Sequence, residues 1–355
     1  MAYESFHGRR ARRLENDQLR VTLLVEGGHL AEILDRASQV NPLWIPHWPT
    51  IEPSAYDRVR HAMYGGASDG KLLAGIMGHN LCLDVFGPGS DAETAAGLTA
   101  HGESSVAAYS MHGSESELFC SVMLPAAQLH FVRRLRLAGR VLLIHETVEN
   151  IAPTDRPIAW TQHVTLGAPF LVKGETQFRS TATRSKTMEQ DFTGGVTWMR
   201  ENAEFDWPLA PRRDGGLEDL RVYTREPASG GYTAHLMDPE REQAWFAAWS
   251  PASKLAVGYV WRQSDFPWMG IWEENGSRRQ SPWNGRELTR GMEFGVSPFP
   301  ETRRAMIERG RMFGVPCYRW VEAKSKLEVD YCAFLLPAAQ PPESVVWRGD
   351  TVELG

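Results

Sequence analysis

The chain has 355 residues, enough to bury a large hydrophobic core, and no interior run resembles a linker, so a single decorated domain over residues 1–355 is expected. A formal net charge of −6 argues against a nucleic-acid partner, which calls for a basic face to neutralise phosphates. The chain carries no apolar signal core and no apolar run long enough to span a bilayer, and Cys82, Cys120, Cys317 and Cys332 form neither a CxxC pair nor a zinc spacing, so no membrane partner, a cytoplasmic location and free buried thiols are expected.

Residues 1–19 read as an N-terminal extension: the basic run His7 to Arg13 is followed by Glu15 and Asp17 and suits an anchoring or solvated turn. Arg20 to Val25 is the first run of strand character. Residues 41–60 then read as an ordered loop, since Pro42, Pro46, Pro49 and Pro53 break ladders while Trp44 and Trp48 demand burial or a ligand. Asp91 to Leu98 is a candidate helix. Period-two or aliphatic runs follow at Ala107–Met111, Glu117–Met123, Leu129–Leu137, Val141–Val148, Ile158–Val164, Arg221–Thr224, Ala244–Trp249, Leu255–Trp261 and Val329–Leu336. The clearest hairpin joins Leu129–Leu137 to Val141–Val148 through Ala138-Gly139-Arg140, where the glycine supplies the turn.

Pro300 to Gly310, with an acidic start, late arginines and a glycine stop, is a second short helix. The pattern is all-β: a large antiparallel two-sheet sandwich of about twelve to eighteen strands with a few short helices. Neither a GxGxxG nor a GxxxxGK[ST] loop is present, so a doubly wound nucleotide-binding fold is not expected.

Three histidines have glycines in their surroundings, His61 (Gly65-Gly66), His79 (Gly78) and His101 (Gly102), where the backbone can approach a ligand closely. A capped imidazole in an ordered turn is the simpler use of each. His163 stands in Trp160-Thr-Gln-His163-Val-Thr-Leu-Gly167-Ala-Pro169-Phe170, where a core strand gives way to a turn and apolar neighbours can fix the ring. Glu293 interrupts the apolar run from Gly291 to Phe299 and can serve as a general base if it faces a cleft. No HxH or tight His/Glu cluster is present, so no metal site is expected.

The His101-Gly102 pair, the His163-Val-Thr-Leu-Gly167-Ala-Pro169-Phe170 segment and the Met292-Glu293-Phe-Gly295-Val-Ser-Pro298 strand together resemble the aldose 1-epimerase, or galactose mutarotase-like, superfamily, over roughly residues 20 to 336. The resemblance implies a β-supersandwich and cofactor-free interconversion of sugar anomers. In that scheme Glu293 is the base, His163 the acid, and His101 orients the sugar or shares proton transfer. It also implies an arginine and a second acid gripping hydroxyls, for which Arg60 or Arg58 and Asp238 or Asp265 are candidates. His79, Trp272 and Glu273 complete the expected substrate contacts, the latter two as a wall of aromatic face and acid in Trp268 to Asn275.

Two other functions fit the same residues. A glycoside hydrolase would pair Glu273 with Glu293 at about 5–5.5 Å for retention or about 6.5–9.5 Å for inversion. A noncatalytic carbohydrate-binding protein would use the aromatic cleft alone, and in each case the partner is a small-molecule carbohydrate.

Overall fold

The computed structural model describes residues 3–66 and 68–355. Two large antiparallel sheets, of twelve and eight strands, stack face to face in the supersandwich of the galactose mutarotase-like type, with three short α-helices at its margins among the described residues. The total slightly exceeds the expected range because short edge strands such as Glu4–Phe6, Gln177–Ser180 and Glu204–Asp206 extend both sheets. No helix among the described residues is long and apolar enough to cross a membrane.

The centre of the larger sheet runs Leu30–Asp35, His79–Asp84, Arg156–Gly167, Leu288–Gly295, Trp268–Asn275, Ser229–Met237. Because side chains alternate across a strand, each of these strands has a face buried against the second sheet and a face turned away from it. Leu81, Leu83, Trp160, Val164, Met269, Ile271, Met292 and Phe294 project inward, where they meet Phe131, Ile144, Phe246, Tyr259 and Trp261 of the eight-stranded sheet in one core. Trp261 stacks on Phe294 across the sandwich with ring centroids 4.2 Å apart. Full burial of side chains of this size contributes about 1.5–3 kcal/mol each.

The Leu129–Ala138 and Val141–Asn150 hairpin forms as its alternation predicts. Asp91–Ala95 is helical, closed by a capping box between Ser90 and Glu93. The later helix occupies Arg303–Arg309, capped by Thr302 rather than beginning at Pro300. Two expectations change. Residues 4–15 are not an appended extension: Glu4–Phe6 and Arg9–Glu15 are strands of the larger sheet, where Arg9 is buried and its charge is met by Glu52. Arg221–Thr224 is not a strand, since Asp219 accepts from the Arg221 backbone and side chain and turns the chain there, leaving a single bridge from Val222 to Gln177.

Residues 41–60 lie outside the named strands and carry one short 3-10 turn at Pro53–Ala55. Trp44 and Trp48 pack with Trp283 and Trp272 in a second apolar cluster on the outward face of the larger sheet. The Trp44 indole N–H donates to Glu287 at 2.7 Å, which also accepts from the His47 backbone at 2.9 Å. The loop is therefore a structural wall behind Trp272.

Candidate active site

Strand register assembles the site. His163 is the pairing partner of Asn80 on one side and of Glu293 on the other, so the three side chains stand in a row on the outward face. Glu293 is in turn paired with Gly270, and Trp272 with Gly291, which sets the indole beside the row. His163 Nε2 lies 2.9 Å from Glu293 Oε1, with only 6% and 2% of the two residues exposed.

That approach is close without being a hydrogen bond. The Glu293 Oε1 atom is buried and has no hydrogen-bond partner, so the imidazole N–H direction misses it despite the short distance. A buried carboxylate oxygen left without a donor is uncommon in folded proteins and points to use in chemistry. Room for the carboxylate comes from Gly291, since a Cβ there would stand 3.2 Å from Glu293 Cδ and inside contact distance of Oε1. The other nitrogen of His163, Nδ1, is within 3.1 Å of the Thr165 hydroxyl, which leaves Nε2 as the nitrogen directed at the reacting space.

His101 completes the cluster from a different segment. Its ring centroid is 4.8 Å from that of His163, and its Nδ1 donates to Asn80 Oδ1 at 3.1 Å. It holds a left-handed backbone with φ of 66°, followed by Gly102 at 79°, a conformation costly for a residue with a Cβ and one that collects at functional sites. Burial, reinforced by His163, His29 and Arg278, pushes its imidazole well below the ordinary value, so the ring is neutral and its Nε2 an acceptor. The Asn80 amide nitrogen is buried without a partner and can donate to a ligand. Cys82 lies on the same face, where burial and then Glu293 push its thiol well above the ordinary value and keep it protonated.

Trp272 stands on the same face, its ring centroid 5.9 Å from that of His163. An arginine that sequence reasoning passed over, Arg278, stands beside Trp272 in the connection following the Trp268–Asn275 strand. Its guanidinium lies over Trp283 at 4.6 Å and Trp272 at 5.4 Å, with Nε 3.5 Å from Glu274. Among the described residues its terminal nitrogens have no hydrogen-bond partner, which leaves paired donors free beside the aromatic wall.

Three other expected contacts lie elsewhere. His79 faces the core, its Nε2 on Gln162 at 2.9 Å and its Nδ1 on the Tyr259 hydroxyl at 3.1 Å. Glu273 also faces inward, accepting from Ser229 at 2.5 Å and from Arg290 at 3.2 Å, because period two gives the outward position to Trp272 and Glu274. Arg60 is on the surface, its side chain 75% exposed and 3.6 Å from Asp57. Asp238 pairs with Arg241 at 3.1 Å, and Asp265 approaches Arg262 at 4.0 Å. Glu273 and Glu293 thus lie on opposite faces of one sheet and do not form the carboxylate pair of a glycosidase. Among the described residues, no group of three or more His, Cys, Asp or Glu side chains is arranged to hold a metal ion.

The fold recurs in solved structures of known proteins. A protein named as a candidate aldose 1-epimerase from Klebsiella pneumoniae subsp. pneumoniae MGH 78578 superposes with a TM-score of 0.65 at 15% identity, over 91% of this chain and 78% of that one. A galactose mutarotase-like protein from Clostridium acetobutylicum gives 0.61 at 11% identity, over 95% and 98%. Another from Lactobacillus casei ATCC 334 gives 0.57 at 14%, over 92% and 100%. At such identities the likeness establishes the fold. No family model matches the chain, and no curated protein matches it.

Proposed function

We propose that this chain is an aldose 1-epimerase-like isomerase that interconverts the anomers of a free sugar by general acid and base catalysis, with no cofactor. The observation that carries the reading is the placement of His163 Nε2 2.9 Å from a Glu293 carboxylate whose facing oxygen has no hydrogen-bond donor. The names of the structurally similar proteins point the same way.

In the proposed cycle His163 supplies the proton and Glu293 is the base that receives one, the two standing 2.9 Å apart. A sugar entering past His101, the least buried of the three, parts them and presents its anomeric hydroxyl to Glu293 and its ring oxygen to His163. Glu293 takes the hydroxyl proton, His163 donates to the ring oxygen, and the C1–O5 bond breaks to give the aldehyde. Rotation about C1–C2 exposes the other carbonyl face. On closure His163 recovers the proton from the C5 hydroxyl and Glu293 returns its own to the C1 oxygen, so the enzyme ends as it began. His101 orients the sugar through its free Nε2, Asn80 and Arg278 donate to hydroxyls, and Trp272 offers a flat apolar face to sugar C–H groups.

The test follows pure anomers of a panel of free aldoses by NMR as they relax with and without the protein. Accelerated relaxation with no change in mass supports the reading. Release of a smaller sugar from a glycoside, or binding without acceleration for every sugar, would overturn it in favour of hydrolysis or of a noncatalytic binding protein.

A further inference from the structure

Behind the site, the interior of the sandwich holds charges where its pattern calls for hydrocarbon. In the Leu129–Ala138 strand the inward positions are Leu129, Phe131, Arg133, Leu135 and Leu137, and in the Val141–Asn150 strand they are Leu142, Ile144, Glu146, Val148 and Asn150. Arg133 and Glu146 are paired across the two strands, wholly buried, with Nε 2.7 Å from Oε1. Placing an ion pair there costs several kcal/mol per charge in lost hydration, and hydrocarbon of equal volume is often as stable or more so. Stability therefore does not explain the pair.

Its hydrogen bonds reach the segments that carry the two site histidines. Glu146 Oε2 accepts from Trp160 Nε1 at 3.0 Å and from Gln162 Nε2 at 2.7 Å, and these residues flank Thr161 on the strand whose next outward side chain is His163. Its Oε1 also accepts from the Tyr331 hydroxyl at 2.6 Å. Arg133 Nη2 donates to Gln162 Oε1 at 3.3 Å, so both ends of that amide are fixed. Arg133 Nη1 donates to the Gly28 carbonyl at 3.0 Å. The next residue, His29, donates from its ring Nε2 to the Ser105 carbonyl at 2.9 Å, and Ser104 of the same turn donates to the Leu81 carbonyl at 2.9 Å, closing the turn that begins at His101. Burial, the largest single influence, pulls the Arg133 guanidinium down, but Glu146 together with Tyr331, Cys120 and Tyr109 outweighs it, raises the group above its ordinary value and keeps the cation charged.

We infer that Arg133 and Glu146 are positioning residues: one buried ion pair, contributed by the sheet opposite the site, that sets His163 and His101 relative to each other. One guanidinium holds the strand bearing the first histidine and, through Gly28 and His29, the turn bearing the second. The inference rests on the reading of His163 and His101 as site residues, and it gives the interior charges a use that packing does not. Hydrocarbon in their place would leave the sheets stacked and free the strand and the turn to shift independently.

The experiment replaces both charges at once, Arg133→Met with Glu146→Leu, in the full chain labelled at histidine ring carbons. Three quantities are read: the urea midpoint, the NMR cross-relaxation between the His101 and His163 rings, and kcat and KM for anomer interconversion. The expected result is a midpoint equal to or above that of the parent, a ring-to-ring cross-peak weakened severalfold, and a kcat about tenfold lower at similar KM. An unchanged cross-peak with kcat within twofold of the parent would overturn the inference. Should the double variant not fold, Arg133→Lys keeps the charge beside Glu146 but loses the bonds to Gly28 and Gln162, and the same criteria apply to it. If the parent itself accelerates no sugar, the functional reading fails, while the cross-peak alone still decides whether the ion pair positions the rings.

Discussion

Gly291→Ala isolates the placement of the Glu293 carboxylate from its chemistry. Gly291 shares the outward face of its strand with Glu293, and an added Cβ would stand 3.1 Å from Trp272 Cβ, 3.2 Å from Glu293 Cδ, and nearer to Oε1 than the 3.0 Å that real Cβ contacts respect. The Trp272 Cβ is fixed to its strand, so the carboxylate must yield by about half an ångström to one ångström. A misplacement of about 1 Å costs on the order of 10²-fold in rate, so kcat should fall by about 10- to 100-fold, or about 1.4–2.7 kcal/mol in the barrier. Stability should change little, because alanine narrows the unfolded ensemble by about 0.4–1 kcal/mol, which offsets part of the crowding. The assay is anomer relaxation by NMR at several sugar concentrations beside urea unfolding, with Gly216→Ala, whose Cβ meets only the surface side chains of Asp214 and Arg212, as the control. A folded Gly291→Ala protein with kcat within twofold of the parent would refute the argument that this glycine makes room for the base.

Two further outcomes follow from the same geometry. Arg278→Met keeps an apolar chain over Trp272 and Trp283 while removing the free donors, so KM should rise about tenfold with kcat little changed; a fall in kcat at constant KM would contradict a gripping role. Acid should destabilise the fold from near pH 6.5 downward. Burial lowers the imidazoles of His29 and His235 from 6.5 to about 3. Below 6.5 the unfolded chain therefore binds protons that the folded chain refuses. Their contribution is complete above 6.5 and is lost as pH falls toward 3, at up to about 1.4 kcal/mol per pH unit for each group. His79 and His101, also held well below the ordinary value by burial, add in the same direction. The urea midpoint should be level at about pH 7–8 and fall at about pH 5; equal midpoints would contradict the buried neutral state.

How much of this could be read from the chain depends on which physical rule governed each residue. The hairpin and the β class were legible from alternation, and the family-like order of histidine, histidine and glutamate picked out His101, His163 and Glu293, which the fold brings together, His163 and Glu293 on paired strands and His101 from a separate turn. The failures at His79 and Glu273 are failures of parity. With Trp272 outward, period two sends Glu273 inward, and with Asn80 beside His163, it sends His79 into the core. That rule was available in the sequence and marks Asn80 over His79. Arg278 was not legible in this way, since it sits in an irregular connection that no periodicity orients, and only its stacking on two tryptophans from separate segments brings it to the site. The charges at Arg133 and Glu146 were visible as interruptions of an apolar face, although their partners across the sandwich were not.

The central claim is that Glu293 exchanges a proton with the anomeric hydroxyl. Its most direct test is the rate of interconversion between α and β anomers of the best sugar, measured by NMR for the parent and for Glu293→Gln under identical conditions. Glutamine keeps the shape of the side chain and removes the base, so the acceleration over the spontaneous rate should fall by about 10²- to 10⁴-fold. A folded Glu293→Gln protein that relaxes the anomers as fast as the parent would contradict the account.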